Sequence, residues 1–221
     1  MKILFIGNSY TYYNDMPCTL EKLLAENGFA SQVDSVTVGG RKLYKNLDRE
    51  DEKFGVIKEL SSKNNYDALI LQEQSFLPIT EPETFERGVF GLMKTVESKR
   101  TVLYATWGRK SGCDLLVQHG WTSDSMTDML YEAYSRAAVK FGAELSPVGK
   151  CFKQSVKTYP DIELYDPDLS HPSREGSALA AMVHYVVLIG ELPKKYSSLK
   201  LEEKVAQSFI SAIKSIVWEE K

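Results

Sequence analysis

Two short segments, far apart in the chain, hold the residue types that acyl-transfer chemistry needs. One is Gly7-Asn8-Ser9-Tyr10, directly after an apolar run; the other is Asp168-Leu169-Ser170-His171-Pro172. A serine hydroxyl is a weak nucleophile until a base sits beside it. Imidazole is the natural base near neutral pH. A carboxylate on the second ring nitrogen selects the tautomer and stabilises the imidazolium. A D-x-x-H spacing on one turn can bring Asp168 to His171. The pattern therefore predicts Ser9 as nucleophile, His171 as base and Asp168 as its orienting acid, with Asp166 close enough to compete. Each segment also has a plain structural reading. Ser9 and Asn8 suit turns and helix caps, and Asp168 and His171 can simply open the helix that follows Pro172. It is the two segments together that favour chemistry.

These residues need a scaffold that brings them to one place. Residues 3–6 form an apolar run without alternation, which predicts a strand buried on both faces. Residues 31–38, 67–72, 101–106 and, more weakly, 143–148 read as further strands. Helical segments alternate with them: one from the Asn14-Asp15 cap to Asn27-Gly28, then residues 43–62, 83–98 and 126–141. Residues 109–125 read as a polar loop and 149–169 as long and irregular. Residues 175–190 read as an apolar helix. Leu201, Val205, Phe209, Ile213 and Ile216 mark a last amphipathic helix. Five alternations of strand and helix predict a parallel sheet with helices on both faces. Ligands of such sheets bind at the carboxyl ends of the strands. Ser9, Gly39-Gly40, residues 72–75 and Trp107 all fall there.

The bulk properties narrow the function classes. A chain of 221 residues suits one α/β domain spanning 1–221. Net charge is -3, which favours neither nucleic acid nor an anionic membrane as partner. Met1-Lys2 leads straight into only four apolar residues, too few for a signal-peptide core. No run reaches the length of a membrane span. Cys18, Cys113 and Cys151 are scattered and odd in number, which suggests reduced thiols in a cytoplasmic protein. They form no metal-ligand cluster with the three histidines, and Gly39-Gly40 lacks a dinucleotide-binding spacing. No metal and no cofactor is expected. His119 reads as a solvated loop residue and His184 as a packed, hydrogen-bonded one.

With these motifs in order, the chain resembles the SGNH (GDSL) hydrolases. Gly7-Asn8-Ser9-Tyr10 looks like their first block, with Asn8 in place of the usual Asp, and Asp168 to His171 matches their last. Leu71-Gln72-Glu73-Gln74-Ser75 and Thr106-Trp107 look like marks of a bacterial SGNH-like branch, as do Ser170-His171-Pro172-Ser173 and Gly176-Ser177. The resemblance implies a three-layer α/β/α sandwich with a five-stranded parallel sheet in flavodoxin-like order. It implies a serine esterase working through an acyl-enzyme. It also implies an oxyanion hole, built from the N–H groups of Ser9 and of Gly40 or Gly39. The family's usual Asn has no counterpart after the third strand; Asn64 and Asn65 precede it. Gln72 or Gln74 can offer the same amide, and Gln72, at the strand end, is preferred. Asn8, Tyr10 and Trp107 are expected to line the substrate cleft, with Tyr12, Tyr13 and Trp121 as further aromatic candidates. A short acyl ester of a carbohydrate or other small polar molecule is the favoured substrate. A lysophospholipase or thioesterase, a catalytically silent binding module, and a flavodoxin-like nucleotide or flavin binder are the alternatives. No G-x-S-x-G elbow is present, which argues against an α/β-hydrolase.

Overall fold

The computed structural model describes residues 1–218. Five strands, β1 (Lys2–Gly7), β2 (Gln32–Thr37), β3 (Tyr66–Leu71), β4 (Ser98–Tyr104) and β5 (Glu144–Ser146), form one sheet. All pairings are parallel, in the order β2-β1-β3-β4-β5. That is the flavodoxin-like order, in which the chain changes direction of winding between β1 and β3. The helices are α1 (Ser9–Tyr12), α2 (Met16–Glu26), α3 (Glu52–Lys63), α4 (Leu77–Thr80), α5 (Pro82–Thr95), α6 (Asp114–His119), α7 (Ser123–Phe141), α8 (Val148–Thr158), α9 (Arg174–Ile189) and α10 (Glu203–Ile213).

Side chains of a strand alternate between faces, so each central strand feeds two cores. Ile3, Phe5, Ile70, Val102 and Tyr104 point to one side. There they meet Leu20, Leu23 and Leu24 of α2, Phe152 of α8, Met182 and Val183 of α9, and Phe209 of α10. Leu4, Ile6, Leu69, Leu71 and Leu103 point to the other side. They meet Ile57 of α3, Phe85, Val89 and Leu92 of α5, and Leu130 and Tyr134 of α7. The result is the three-layer sandwich expected from the strand–helix alternation. No helix among the described residues is long and apolar enough to cross a membrane.

Several expected boundaries shift. The 43–62 stretch divides into a 3-10 turn at Leu43–Leu47 and α3. The polar loop 109–125 contains α6 and the capping box in which Thr122 and Ser125 bond each other to start α7. The largest correction is in the irregular stretch 149–169, whose first part is α8. Its buried face is Val148, Cys151, Phe152 and Ser155, an i, i+3, i+4, i+7 stripe. Gly149 and the intervening lysines mask that stripe. Gly149 itself is needed because a Cβ there would fall 2.1 Å from the Thr106 carbonyl oxygen.

Candidate active site

The nucleophile turn is assembled by hydrogen bonds that start at β1. The strand ends at Gly7, and Asn8 caps α1 by accepting from the Tyr10 N–H through Oδ1 at 3.1 Å. The capping role therefore belongs to Asn8, leaving the Ser9 hydroxyl uncommitted to the helix. The Asn8 N–H donates to Gln72 Oε1 at 2.9 Å, and Thr11 Oγ1 donates to the same oxygen at 2.9 Å. The Gln72 Nε2 donates to the Glu73 carbonyl. Glycine is required at position 7 for this close approach: a Cβ would lie 2.5 Å from Thr11 Oγ1 and 2.7 Å from Gln72 Oε1. Asn8 Nδ2 reaches across to the Arg41 carbonyl at 3.2 Å, tying the turn after β2 to the turn after β1.

The base comes from the loop between α8 and α9. That loop folds back on itself through an isolated bridge of Tyr165 with Pro172 and a bond from the Asp166 N–H to the His171 carbonyl at 2.9 Å. Leu169 takes the left-handed conformation (φ 61°) at its tip. Asp168 Oδ1 accepts from the backbone N–H groups of Ser170 (3.0 Å) and His171 (2.9 Å), and Oδ2 accepts from His171 Nδ1. Burial raises the Asp168 pKa, but the His171 ring and these two N–H donors outweigh it and hold the carboxyl below its ordinary value. With Nδ1–H donating to Asp168, Nε2 is the acceptor, and it lies 2.8 Å from Ser9 Oγ. Ser9, His171 and Asp168 thus form one continuous chain of contacts. Asp166 contributes backbone bonds, donating to the His171 carbonyl and accepting from the Leu169 N–H at 3.0 Å, and is not part of it.

Aromatic rings hold the imidazole in place. Tyr13 stacks on His171 with centroids 4.2 Å apart and planes at 10°, and Tyr10 meets it edge-on at 5.5 Å. The Tyr10 hydroxyl bonds Ser170 Oγ at 2.8 Å. Trp107 is corrected from cleft wall to core. It is fully buried, stacked between Tyr10 (4.9 Å) and Phe152 (4.0 Å), and its Nε1 donates to the Ser170 carbonyl at 3.1 Å. Its work is to steady the loop that carries His171. Trp121 is also remote, stacked on His119. His184, as expected, is packed: it is buried, bonded to Ser146 Oγ at 2.9 Å, and burial lowers its pKa to about 3.

The cleft above Ser9 has a volume of about 160 Å³ and is lined by Asn8, Ser9, Tyr10, Gly40, Gln74, Ser75, Arg109, Ser170 and His171. Gly40, in the left-handed conformation (φ 65°), belongs to this wall; Gly39 does not and faces the Tyr12 hydroxyl instead. Gln72 is also corrected. It is fully buried with its amide engaged on Asn8, Thr11 and Glu73, so it braces the nucleophile turn and does not face the cleft. Gln74 is the glutamine that lines it. Arg109 escaped the sequence reading as a cleft residue, whereas Ser75 lies in the 72–75 stretch expected at a strand end. The position of Arg109 just past the end of β4 was the available signal. A larger hollow of about 420 Å³ lies by β5, with Leu145, Pro147 and Val186 in its wall, but it holds no nucleophile.

Solved structures share this arrangement of elements. A protein from Slackia heliotrinireducens described as an SGNH hydrolase superposes with a TM-score of 0.74 at 32% identity, over 85% of this chain and 98% of its own. A DUF4886 family protein from Bacteroides uniformis superposes with a TM-score of 0.81 at 15% identity, over 100% of this chain and 96% of its own. An acetyl xylan esterase from Geobacillus stearothermophilus, in a single-substitution variant, superposes with a TM-score of 0.58 at 16% identity, over 88% and 97% respectively. The last two, at such identities, speak to the fold alone. No protein-family model matches the chain, and no curated protein matches it in sequence.

Proposed function

The chain belongs to the SGNH hydrolases, and from that premise we propose that it is a serine esterase that removes short acyl groups through an acyl-enzyme. The observation that carries the reading is the unbroken contact chain from Ser9 Oγ through the His171 ring to Asp168. As Ser9 Oγ attacks the ester carbonyl carbon, its proton passes to His171 Nε2, and Asp168 stabilises the imidazolium. The carbonyl oxygen becomes an oxyanion. The N–H groups of Ser9 and Gly40 and the Gln74 amide are the donors assigned to it. Collapse of the tetrahedral intermediate breaks the bond to the alcohol, which leaves with the proton from His171. Water then attacks the Ser9 ester, again deprotonated by His171, and the acid is released.

The cleft supports a small acyl group. It is small, and its wall carries the polar side chains of Asn8, Gln74, Ser75 and Arg109 together with Tyr10, whose ring stacks on buried Trp107. Acetyl is the acyl group that suits it, and a carbohydrate or other small polar alcohol suits the polar rim. The test is hydrolysis of 4-nitrophenyl acetate against butyrate and octanoate by the wild type and Ser9→Ala. Acetate should be the best substrate, and Ser9→Ala should lose at least about 10³ in kcat/KM. Equal rates for the two proteins would refute the nucleophile. An octanoate preference would move the assignment to a lipase or thioesterase.

A further inference from the structure

The cleft holds a positive charge that hydrolysis of a neutral acetyl ester does not use. Arg109 follows β4, and its side chain lines the same wall as Ser9, Gln74 and His171. Its Nε donates to Ser75 Oγ at 3.3 Å, and its backbone N–H to Met126 Sδ at 3.4 Å, so the backbone and the base of the guanidinium are both anchored. Its terminal nitrogens have no hydrogen-bond partner among the described residues, and no carboxylate pairs with it there. Arg41 and Arg100, by contrast, are paired with Asp51 and Glu144. The carboxylates on the adjoining loops have other partners. Asp168 is held by His171 and Ser170. Glu73 faces the backbone N–H groups of Leu43 and Gln74, and Glu163 pairs with Lys110.

A half-buried cation that has lost part of its hydration gains most from an anion that reaches it. A guanidinium fixed at Nε presents its remaining N–H groups as a fork matched to a carboxylate. We propose that Arg109 selects esters that carry a carboxylate, in the acyl or the alcohol part, close to the scissile bond. This rests on the serine-esterase reading and names the substrate class of the same site. The ester end lies against Ser9, the carboxylate pairs with Arg109, and Gln74 and Ser75 line the wall between. The pair forms in the bound ester before any bond breaks, so it acts mainly through KM.

Two matched pairs of esters test this and separate the two positions of the carboxylate. Mono-4-nitrophenyl glutarate against 4-nitrophenyl butyrate places it in the acyl part. 4-Acetoxybenzoate against its methyl ester places it in the alcohol part. The readout, after subtracting spontaneous hydrolysis, is the ratio of kcat/KM for the charged over the neutral ester in wild type, Arg109→Lys and Arg109→Gln. In at least one pair the ratio should fall by about ten- to a hundredfold in Arg109→Gln, with Arg109→Lys between. In the wild type it should shrink as salt rises. A ratio unchanged by both substitutions in both pairs overturns the proposal. Should the wild type cleave none of the four, the esterase reading fails by itself. Calorimetric titration with glutarate then decides the anion site: binding lost in Arg109→Gln supports it, and no binding by the wild type overturns it.

Discussion

At the scale of single residues, two near neighbours compete for each of two roles, and geometry separates them. Asp168 touches the His171 ring, whereas Asp166 supports only its backbone. Asp168→Asn should therefore lower kcat by on the order of 10³–10⁴, because an amide can hold the wrong imidazole tautomer. Asp166→Asn should change it by less than about tenfold. Steady-state kinetics with 4-nitrophenyl acetate checks both, and a severe loss at Asp166 alone would transfer the role. The two glutamines divide in the same way. Gln74→Ala should cost about 10²–10³ in kcat with little change in stability, as loss of one oxyanion donor does. Gln72→Ala leaves the Asn8 N–H and the Thr11 hydroxyl without their buried acceptor. It should destabilise the fold by about 1–3 kcal/mol. Urea melts beside kinetics distinguish them; a silent Gln74→Ala would remove that amide from the mechanism. The sequence could not make this assignment, because it places both glutamines just past a strand and does not say where the chain turns inward.

At the scale of elements, the loops after β2 and β3 are joined by one buried carboxyl. Glu73 Oε1 accepts from the N–H of Leu43 at 3.0 Å and of Gln74 at 2.6 Å, while Oε2 is buried without a partner among the described residues. Burial pushes its pKa up to about 7, against the pull of those two donors and of Lys42. The folded state then binds this proton more tightly than the unfolded chain does, between about pH 4.5 and 7. Its contribution to stability is fully present below that window, is lost as pH rises through it, and is constant above. The loss is on the order of 3 kcal/mol. Glu73→Gln keeps the shape and one accepting oxygen but cannot ionise. It should match the wild type near pH 5 and be more stable at pH 8, by urea denaturation. An equal pH dependence in the two proteins would show that Glu73 does not titrate in this window. Asp168 has the opposite sign: its pKa is depressed, so its contribution is present above the ordinary carboxylate range and lost as pH falls below it.

At the scale of the molecule, what the sequence displayed was set by burial. β1 and β3 are covered on both faces, so they appear as unbroken apolar runs, and Ser9 could be placed at a strand end from them. The D-x-x-H block was legible because one turn of chain holds both partners. α8 was not, because its buried stripe is broken by lysines and by a glycine required for packing on the sheet. Trp107 misled for a related reason: a ring beside a predicted cleft looks like its wall until the Tyr10 and Phe152 planes are seen to enclose it. The same two-faced burial makes a prediction about folding. Leu69 and Ile70 are adjacent in β3, both fully buried, yet they feed different cores on opposite sides of the sheet. If the sheet couples the two layers into one cooperative unit, truncating either should lower the same transition. Leu69→Ala and Ile70→Ala should each cost about 2–5 kcal/mol, with helical signal and tryptophan fluorescence still melting together. Trp107 reports from the Ile70 side. Trp121 packs on the Leu69 side, so the comparison is made in a Trp121→Phe background. There, two separated transitions in Leu69→Ala, with the tryptophan signal surviving the first, would mean that the layers unfold independently and that the active-site face rests on its own core alone.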